Sequence, residues 1–156
     1  MEKFSIREII EQAVQTEKLG YEFYTAMTKR FKEHEGLKKL FGTLAIKEQQ
    51  HEKRFSELKN RIKDEAVERW EDVSEYLRAL VESEFFLGKN KSLPALEHVK
   101  TVSDAVRFAL GFEKETLLHY HNLKDVVKEK EILSEIIIEE KQHIVWLHQL
   151  GKTLKK

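Results

Sequence analysis

Four stretches of the chain carry a carboxylate in the middle of an otherwise apolar helical stripe. Apolar residues recur at alternating three- and four-residue steps over residues 6–31, 37–62, 102–127 and 133–154, which is the spacing of one face of an α-helix. Each stripe has a glutamate near its centre, and two stripes also have a histidine. These six residues are Glu17, Glu48, His51, Glu113, Glu140 and His143. A fold that buries the stripes must therefore accommodate four acids in its interior.

The stripes predict an all-α protein, a four-helix bundle made of two helical hairpins. Only 6 Gly and 1 Pro occur in 156 residues, which favours long helices, and this length suits a single domain over residues 1–156. The turn at Gly36 is short, so the first two helices should pack antiparallel. We predict that residues 64–101 form a long crossover to the second hairpin, with a short extra helix over 72–86.

The two predicted hairpins resemble each other in sequence. Aligning the central glutamates of the first and third helices also aligns a tyrosine seven residues later, Tyr24 with Tyr120. Aligning the glutamates of the second and fourth helices also aligns a histidine three residues later, His51 with His143. Each half of the chain therefore offers one Glu followed by Glu-x-x-His, a repetition that is difficult to obtain by accident.

Charge and cysteine content exclude several classes of function. Lysine plus arginine number 28, as do aspartate plus glutamate, so no net field recruits nucleic acid or an anionic membrane. No apolar stretch reaches membrane-spanning length, and the N-terminus resembles no targeting peptide, so we predict a soluble cytoplasmic protein. Because the chain has no cysteine, any metal must be bound by nitrogen and oxygen.

Four carboxylates buried at one level require positive charge beside them. An unpaired buried charge costs several kcal/mol, and like charges placed together increase that cost. Two divalent cations would balance four carboxylates, and an i, i+3 spacing puts each Glu and its His on one helix face. Carboxylate mixed with imidazole favours iron, with manganese and zinc as alternatives. We therefore predict two metal ions, preferably iron, bound by the six residues named above.

A single Glu-x-x-His in a glutamate-rich helical protein usually belongs to a solvated face. Here both copies fall on a predicted core stripe, and each partner helix adds a further core glutamate. The combination favours a metal centre over a solvated face.

Segments 17–24, 48–55, 113–120 and 140–143 carry a family resemblance. At these residues the sequence resembles the rubrerythrin branch of the ferritin-like di-iron carboxylate superfamily. One Glu from each of two helices, with Glu-x-x-His from each of the other two, is the ligand pattern of such bundles. The resemblance covers the four main helices and implies a ferritin-like bundle.

The resemblance also implies roles for the ligands and an activity. Glu48 and Glu140 would bridge or chelate the metals, and Glu17 and Glu113 would be terminal ligands. Members of this family reduce peroxide or react with dioxygen at the di-metal centre, which implies an oxidoreductase. A non-catalytic iron-binding or iron-storage protein with ferroxidase-like activity is the alternative, and a helical interaction module with a structural metal is a third.

The sequence departs from the family in two places. Many rubrerythrins have a further ligand glutamate one turn after the position of Glu113, where this chain has Thr116. Glu115 lies about 200° around the helix from Glu113 and cannot replace it. The cysteines of a rubredoxin-like module are also absent, so the resemblance implies a separate electron donor, such as a rubredoxin or a reductase.

Several other residues carry weaker predictions. Tyr24 and Tyr120 either donate hydrogen bonds to ligand carboxylates or are ordinary core tyrosines. His119 and His121 flank Tyr120 and should lie on the surface, since adjacent positions point away from the stripe. Three aromatic residues of the crossover could cover the bundle or support a homodimer; they are Trp70, Phe85 and Phe86.

Overall fold

The computed structural model describes residues 6–62, 96–125 and 127–154, and nearly all of them are helical. The helices are α1 (Ile6–Arg30), α2 (Glu35–Arg61), α3 (Val102–Lys124) and α4 (Lys130–Thr153), with a short 3-10 turn at Leu96–His98 before α3. Within these ranges there is no β-strand. The all-α prediction is confirmed, and each helix lies within about four residues of its predicted stripe at either end.

The helices pack as two hairpins, α1 with α2 and α3 with α4, which meet where α1 contacts α3 and α2 contacts α4. One apolar cluster joins the start of α1 to the end of α2, for example Ile10 with Phe55. A second cluster joins the end of α1 to the start of α2, for example Phe23 with Phe41. Because opposite ends of α1 and α2 meet, the two helices are antiparallel, as predicted. The turn between them lies at residues 31–34, however, and the predicted turn residue Gly36 is already within α2.

A polar layer separates the two apolar clusters. On α1, Val14 belongs to the first cluster and Phe23 to the second, and the buried Glu17 lies between them. On α4, Glu140 lies in the same way between Ile137 and Leu147. The bundle therefore has apolar packing toward both ends and carboxylates at its middle.

Side chains at the helix starts satisfy backbone N–H groups. His34 precedes α2, and its Nδ1 accepts from the Leu37 backbone N–H at 3.0 Å. Thr101 precedes α3; its hydroxyl accepts from the Asp104 N–H at 3.0 Å, and Asp104 accepts from the Thr101 N–H at 3.1 Å. Ser103 and Asp104 are also residue types that cap helices, but the helix begins at Val102, so Thr101 is the cap and Asp104 is its partner in the capping box.

The connection between the hairpins is only partly described. The predicted extra helix over 72–86 lies outside the described residues, as do Trp70, Phe85 and Phe86. The end of the connection is held by Arg30, whose guanidinium donates to the carbonyl oxygens of Leu96 and Val99. Among the described helices, none is both long enough and apolar enough to cross a membrane.

Replacing Thr101 with alanine should destabilise the protein by about 1 kcal/mol, because the first turn of α3 loses a hydrogen-bond acceptor for its backbone. Chemical denaturation measured by circular dichroism provides the free energy of unfolding. Thr101→Ser is the matched control, since serine retains the hydroxyl. Equal losses in both variants would show that the hydroxyl does not stabilise this helix start.

Candidate metal centre

The structure brings the six predicted residues together at the middle of the bundle. Each is almost completely buried, with at most 1% of its surface exposed: Glu17, Glu48, His51, Glu113, Glu140 and His143. Every helix contributes, because the mid-helix stripe position of each helix faces the bundle axis at the same level. The rings of His51 and His143 lie nearly parallel, with centroids 5.8 Å apart.

The six residues form two overlapping groups that could each hold a metal ion. One group consists of Glu17, Glu48, His51 and Glu140, and the other of Glu48, Glu113, Glu140 and His143. In each group the ligand atoms all lie within 4.8 Å of one another. Both groups share the glutamates of α2 and α4, so two ions would be neighbours.

Many polar atoms of this layer have no hydrogen-bond partner among the described residues. Glu48 has neither carboxylate oxygen bonded, and one oxygen each of Glu17, Glu113 and Glu140 is also unbonded. Buried polar atoms in native proteins normally have partners. Carboxylate and imidazole are the donors that iron, manganese or zinc accept. The orphaned atoms and the donor types therefore both fit a pair of metal ions.

Two tyrosines each donate a hydrogen bond to a glutamate of the other hairpin. The Tyr24 hydroxyl on α1 donates to Glu113 Oε1 on α3 at 2.6 Å. The Tyr120 hydroxyl on α3 donates to Glu17 Oε1 on α1, also at 2.6 Å. Both tyrosines are completely buried. Each tyrosine therefore bonds one carboxylate oxygen of a glutamate, and the other oxygen has no hydrogen bond among the described residues.

Burial and mutual repulsion make this layer difficult to ionise. The pKa of Glu48 is raised well above its usual value by burial and by the charges of Glu140 and Glu17. Burial and the neighbouring Glu140 raise the pKa of Glu113 to about 7, against a smaller opposing effect of His143. Burial acts on Glu140 in the same direction, but contacts with Glu113, His143 and His51 outweigh it and lower its pKa.

The neighbouring carboxylates favour the charged form of the two histidines. Burial alone would lower the pKa of His51, but the carboxylates of Glu17 and Glu140 raise it to about 11. Burial is similarly outweighed at His143, where Glu113 and Glu140 raise the pKa to about 10. In the metal-free protein both histidines therefore carry protons at neutral pH. A metal must displace those protons to bind.

Gly20 on α1 leaves room for the Glu48 carboxylate. A Cβ atom at this position would lie 2.9 Å from Glu48 Oε2 and 3.1 Å from the Phe112 ring. Gly20 is not among the site residues predicted from the sequence. Its signal is its position one helical turn after Glu17 on the same buried stripe.

Glu139 is a second residue at the centre that is not among the predicted site residues. His51 Nε2 lies 2.6 Å from Glu139 Oε2, and His51 Nδ1 lies 2.8 Å from Glu140 Oε1. The glutamate is on α4 and the histidine on α2, so spacing within one helix gives no signal for this contact.

His119 corrects a prediction. It was expected on the surface, but it is completely buried, whereas His121 is exposed as predicted. On α3 a second set of buried residues runs through Phe112, Thr116 and His119 at four- and three-residue steps, so this helix is covered on more than one side. The ring of His119 lies 5.8 Å from that of Tyr120, and His119 belongs to neither metal group.

A model of the rubrerythrin family matches residues 8–151, which is most of the chain. The chain belongs to the rubrerythrin family. A crystal structure from Thermotoga maritima, provisionally described as a ferritin-like diiron-carboxylate protein, has a TM-score of 0.73 with this chain at 21% sequence identity. The alignment covers 97% of each chain and shows the same ferritin-like bundle. None of the curated proteins matches significantly.

One position departs from the usual rubrerythrin pattern. Thr116 is completely buried, and its hydroxyl oxygen has no hydrogen bond among the described residues. It occupies the position at which the family resemblance implies a further ligand glutamate. Glu115 belongs to neither metal group, so no carboxylate near this turn replaces the missing one in the described part of the site.

The metal-free protein should become less stable as pH rises from about 6.5 to about 10. His51 and His143 have pKa values of about 11 and about 10 when folded, against a usual 6.5. The folded state therefore holds extra protons in this range, and the free energy of unfolding falls as pH rises. Denaturation curves at several pH values, with a chelator and with bound metal, provide the comparison. A flat or rising stability in the chelated protein would contradict the expectation.

Replacing Gly20 with alanine should weaken metal binding by about 10-fold, because the new Cβ displaces a carboxylate in the metal centre. Isothermal titration with a divalent metal measures the loss. Gly42→Ala is the matched control, since a Cβ at Gly42 on α2 meets nothing within 4 Å and alanine favours the helix. Equal effects of the two substitutions would mean that the space beside Glu48 is not required.

Proposed function

We propose that this rubrerythrin-family chain is a di-iron oxidoreductase that reduces peroxide or dioxygen with electrons from an external donor. The observation that carries the proposal is the sharing of Glu48 and Glu140 between two groups of potential ligands. Ligands shared in this way would hold two ions next to each other, so that each ion could supply one of the two electrons that reduce an oxygen–oxygen bond. A single structural metal would need only one such group.

The two groups suggest a ligand assignment. Glu48 and Glu140 would be shared by both ions, Glu17 and His51 would complete one position, and Glu113 and His143 would complete the other. The unbonded carboxylate oxygens in both groups support this assignment. Four carboxylates also balance the charge of two divalent ions, so the layer becomes neutral overall when both are bound.

Iron is the proposed metal because the reaction needs a cofactor that changes oxidation state. Zinc has no redox chemistry. Iron and manganese change oxidation state, and they accept the same oxygen and nitrogen ligands. When bound, two ferrous ions would supply two electrons, which together with two protons are what the reduction of hydrogen peroxide to two molecules of water requires.

The protein side chains would orient the centre and exclude solvent from it. Tyr24 and Tyr120 hold Glu113 and Glu17 through short hydrogen bonds, which limits the positions that these carboxylates can adopt. The raised pKa values of both tyrosines, due first to burial and then to the nearby carboxylates, keep the hydroxyls protonated as donors. The apolar clusters on both sides exclude bulk water.

The electrons must come from outside these 156 residues, since the sequence has no cysteine to hold a rubredoxin-type iron. A separate rubredoxin or reductase is the proposed donor. Without one, the centre would complete a single oxidation and stop.

Alanine at His51 or Glu48 should reduce bound iron below the roughly two ions per chain expected for the unaltered protein, because each substitution removes a proposed ligand. Anaerobic reconstitution with ferrous iron, followed by elemental analysis, gives the stoichiometry. His121→Ala is the control, since that side chain is exposed. Equal iron loss in all three variants would contradict the assignment.

Repeated peroxide consumption should distinguish a reductase from an iron store. The iron-loaded protein, supplied with peroxide and excess chemical reductant, should turn over many times while its iron content stays at two per chain. An increase in iron far beyond two per chain, without peroxide turnover, would contradict the reductase proposal and indicate storage.

A further inference from the structure

The two histidines of the centre differ in what their outward-facing nitrogens contact. His51 Nε2 lies 2.6 Å from Glu139 Oε2, while its Nδ1 faces Glu140 and Glu17 at 2.8 and 3.6 Å. His143 also directs Nδ1 at the carboxylates, 3.2 Å from Glu140 and 3.4 Å from Glu113. Its Nε2, however, is buried with no hydrogen-bond partner in the part of the chain that the structure describes.

The internal repeat explains why, among the described residues, a carboxylate contacts the outward-facing nitrogen of His51 and none contacts that of His143. The alignment that places Glu48 on Glu140 also places Lys47 on Glu139. A lysine ammonium has no lone pair to accept a hydrogen bond from an imidazole N–H. The first hairpin therefore carries no carboxylate at the position that would correspond to Glu139.

The neighbours of the two imidazoles differ as well. The same alignment places Arg54 on Trp146. Arg54 lies 3.8 Å from Glu139 Oε2 and also pairs with Glu135, so it helps to hold the carboxylate that faces His51. Trp146 instead stacks against His143, with ring centroids 5.9 Å apart and planes 22° apart. His51 therefore contacts a chain of charged side chains that ends at the surface, whereas His143 contacts an aromatic ring.

A carboxylate behind a metal-binding histidine has a defined physical effect. It accepts a hydrogen bond from the outer ring nitrogen, which fixes the tautomer whose other nitrogen presents its lone pair to the metal. It also makes that lone pair a stronger donor and restrains the ring. Removing such a partner typically weakens metal binding 10- to 100-fold.

We propose that Glu139 is a positioning residue that makes the two metal positions inequivalent. The position of Glu17 and His51 fills first, and the position of Glu113 and His143 fills second and more weakly. This inference rests on the proposed two-metal centre and adds an order of loading to it. The asymmetry originates in residues outside the ligand groups, since the ligands themselves repeat in both halves.

The test is a titration of the metal-free protein with Co²⁺ in the absence of oxygen, followed by calorimetry and by visible absorption. The unaltered protein should bind in two resolved steps. Glu139→Ala should weaken the first step by about 10- to 100-fold and change the spectrum of the first equivalent, while the second step stays in place. Glu139→Gln should weaken the first step less, because its amide oxygen still accepts a hydrogen bond but carries no charge.

Two matched controls separate positioning from general effects. Lys47→Ala alters the equivalent position in the other hairpin, and Glu135→Ala removes the other partner of Arg54. Both should retain the two steps and the spectrum of the first equivalent. Thermal unfolding of each metal-free variant verifies the fold. If Glu139→Ala does not fold, Glu139→Gln alone tests whether the first binding step is weakened.

The possible failures are distinguishable. Two equal Co²⁺ sites in the unaltered protein would overturn this inference, and so would a first step that neither Glu139 variant weakens; in both cases the two-metal centre stands. A similar loss in Lys47→Ala and Glu139→Ala would also overturn it. Absence of Co²⁺ binding by the folded, unaltered protein would contradict the proposed function itself.

Discussion

Four carboxylates buried at one level of a helical bundle are the constraint on which the rest of this structure depends. Glu17, Glu48, Glu113 and Glu140 are all completely inaccessible to solvent. Desolvation and repulsion act on all of them, and a layer of this kind persists only where protons or cations compensate the charge. The two histidines and two tyrosines supply part of that compensation in the metal-free protein. Two divalent ions would supply it completely.

The apolar parts of the bundle make this polar layer possible. Clusters on both sides contain the large side chains whose burial favours folding, such as Phe23, Phe41 and Phe55. The layer between them contributes little favourable burial and includes many polar atoms that have no hydrogen bond to any residue the structure describes. Gly20 shows how closely the helices approach here, since even a methyl group at that position would overlap the Glu48 carboxylate. The apolar clusters toward the ends of the helices thus stabilise the fold, and the polar layer at their middle holds the groups for chemistry.

The sequence could predict the four helices and the residues at their centre because helical periodicity is visible in the order of apolar and polar residues along the chain. A residue's place in the 3.6-residue repeat decides whether it faces the axis, so Glu17 and His51 could be placed at the centre without coordinates. Their metal binding stays a prediction, supported by the family and the geometry. The first residue of α3 was less predictable, because Thr101 and Ser103 are both competent caps and only the observed backbone decides between them.

Contacts between helices could not be read from periodicity. Glu139 is adjacent to a stripe residue and therefore reads as a surface position, and its contact with His51 depends on how α2 and α4 lie beside each other. His119 was misassigned because one buried stripe was expected on each helix, whereas α3 is buried on more than one side. The crossing hydrogen bonds of Tyr24 and Tyr120 follow the repeat, but the repeat alone does not say which glutamate each one reaches.

Neither hairpin contains a complete metal position. The first group takes three residues from α1 and α2 and its fourth, Glu140, from α4; the second takes three from α3 and α4 and its fourth, Glu48, from α2. In a chain without cysteine, an ion in either group would act as a cross-link between distant parts of the sequence and would close a long loop. Since each half would lack a ligand on its own, metal binding would make the two hairpins fold and unfold as one cooperative unit.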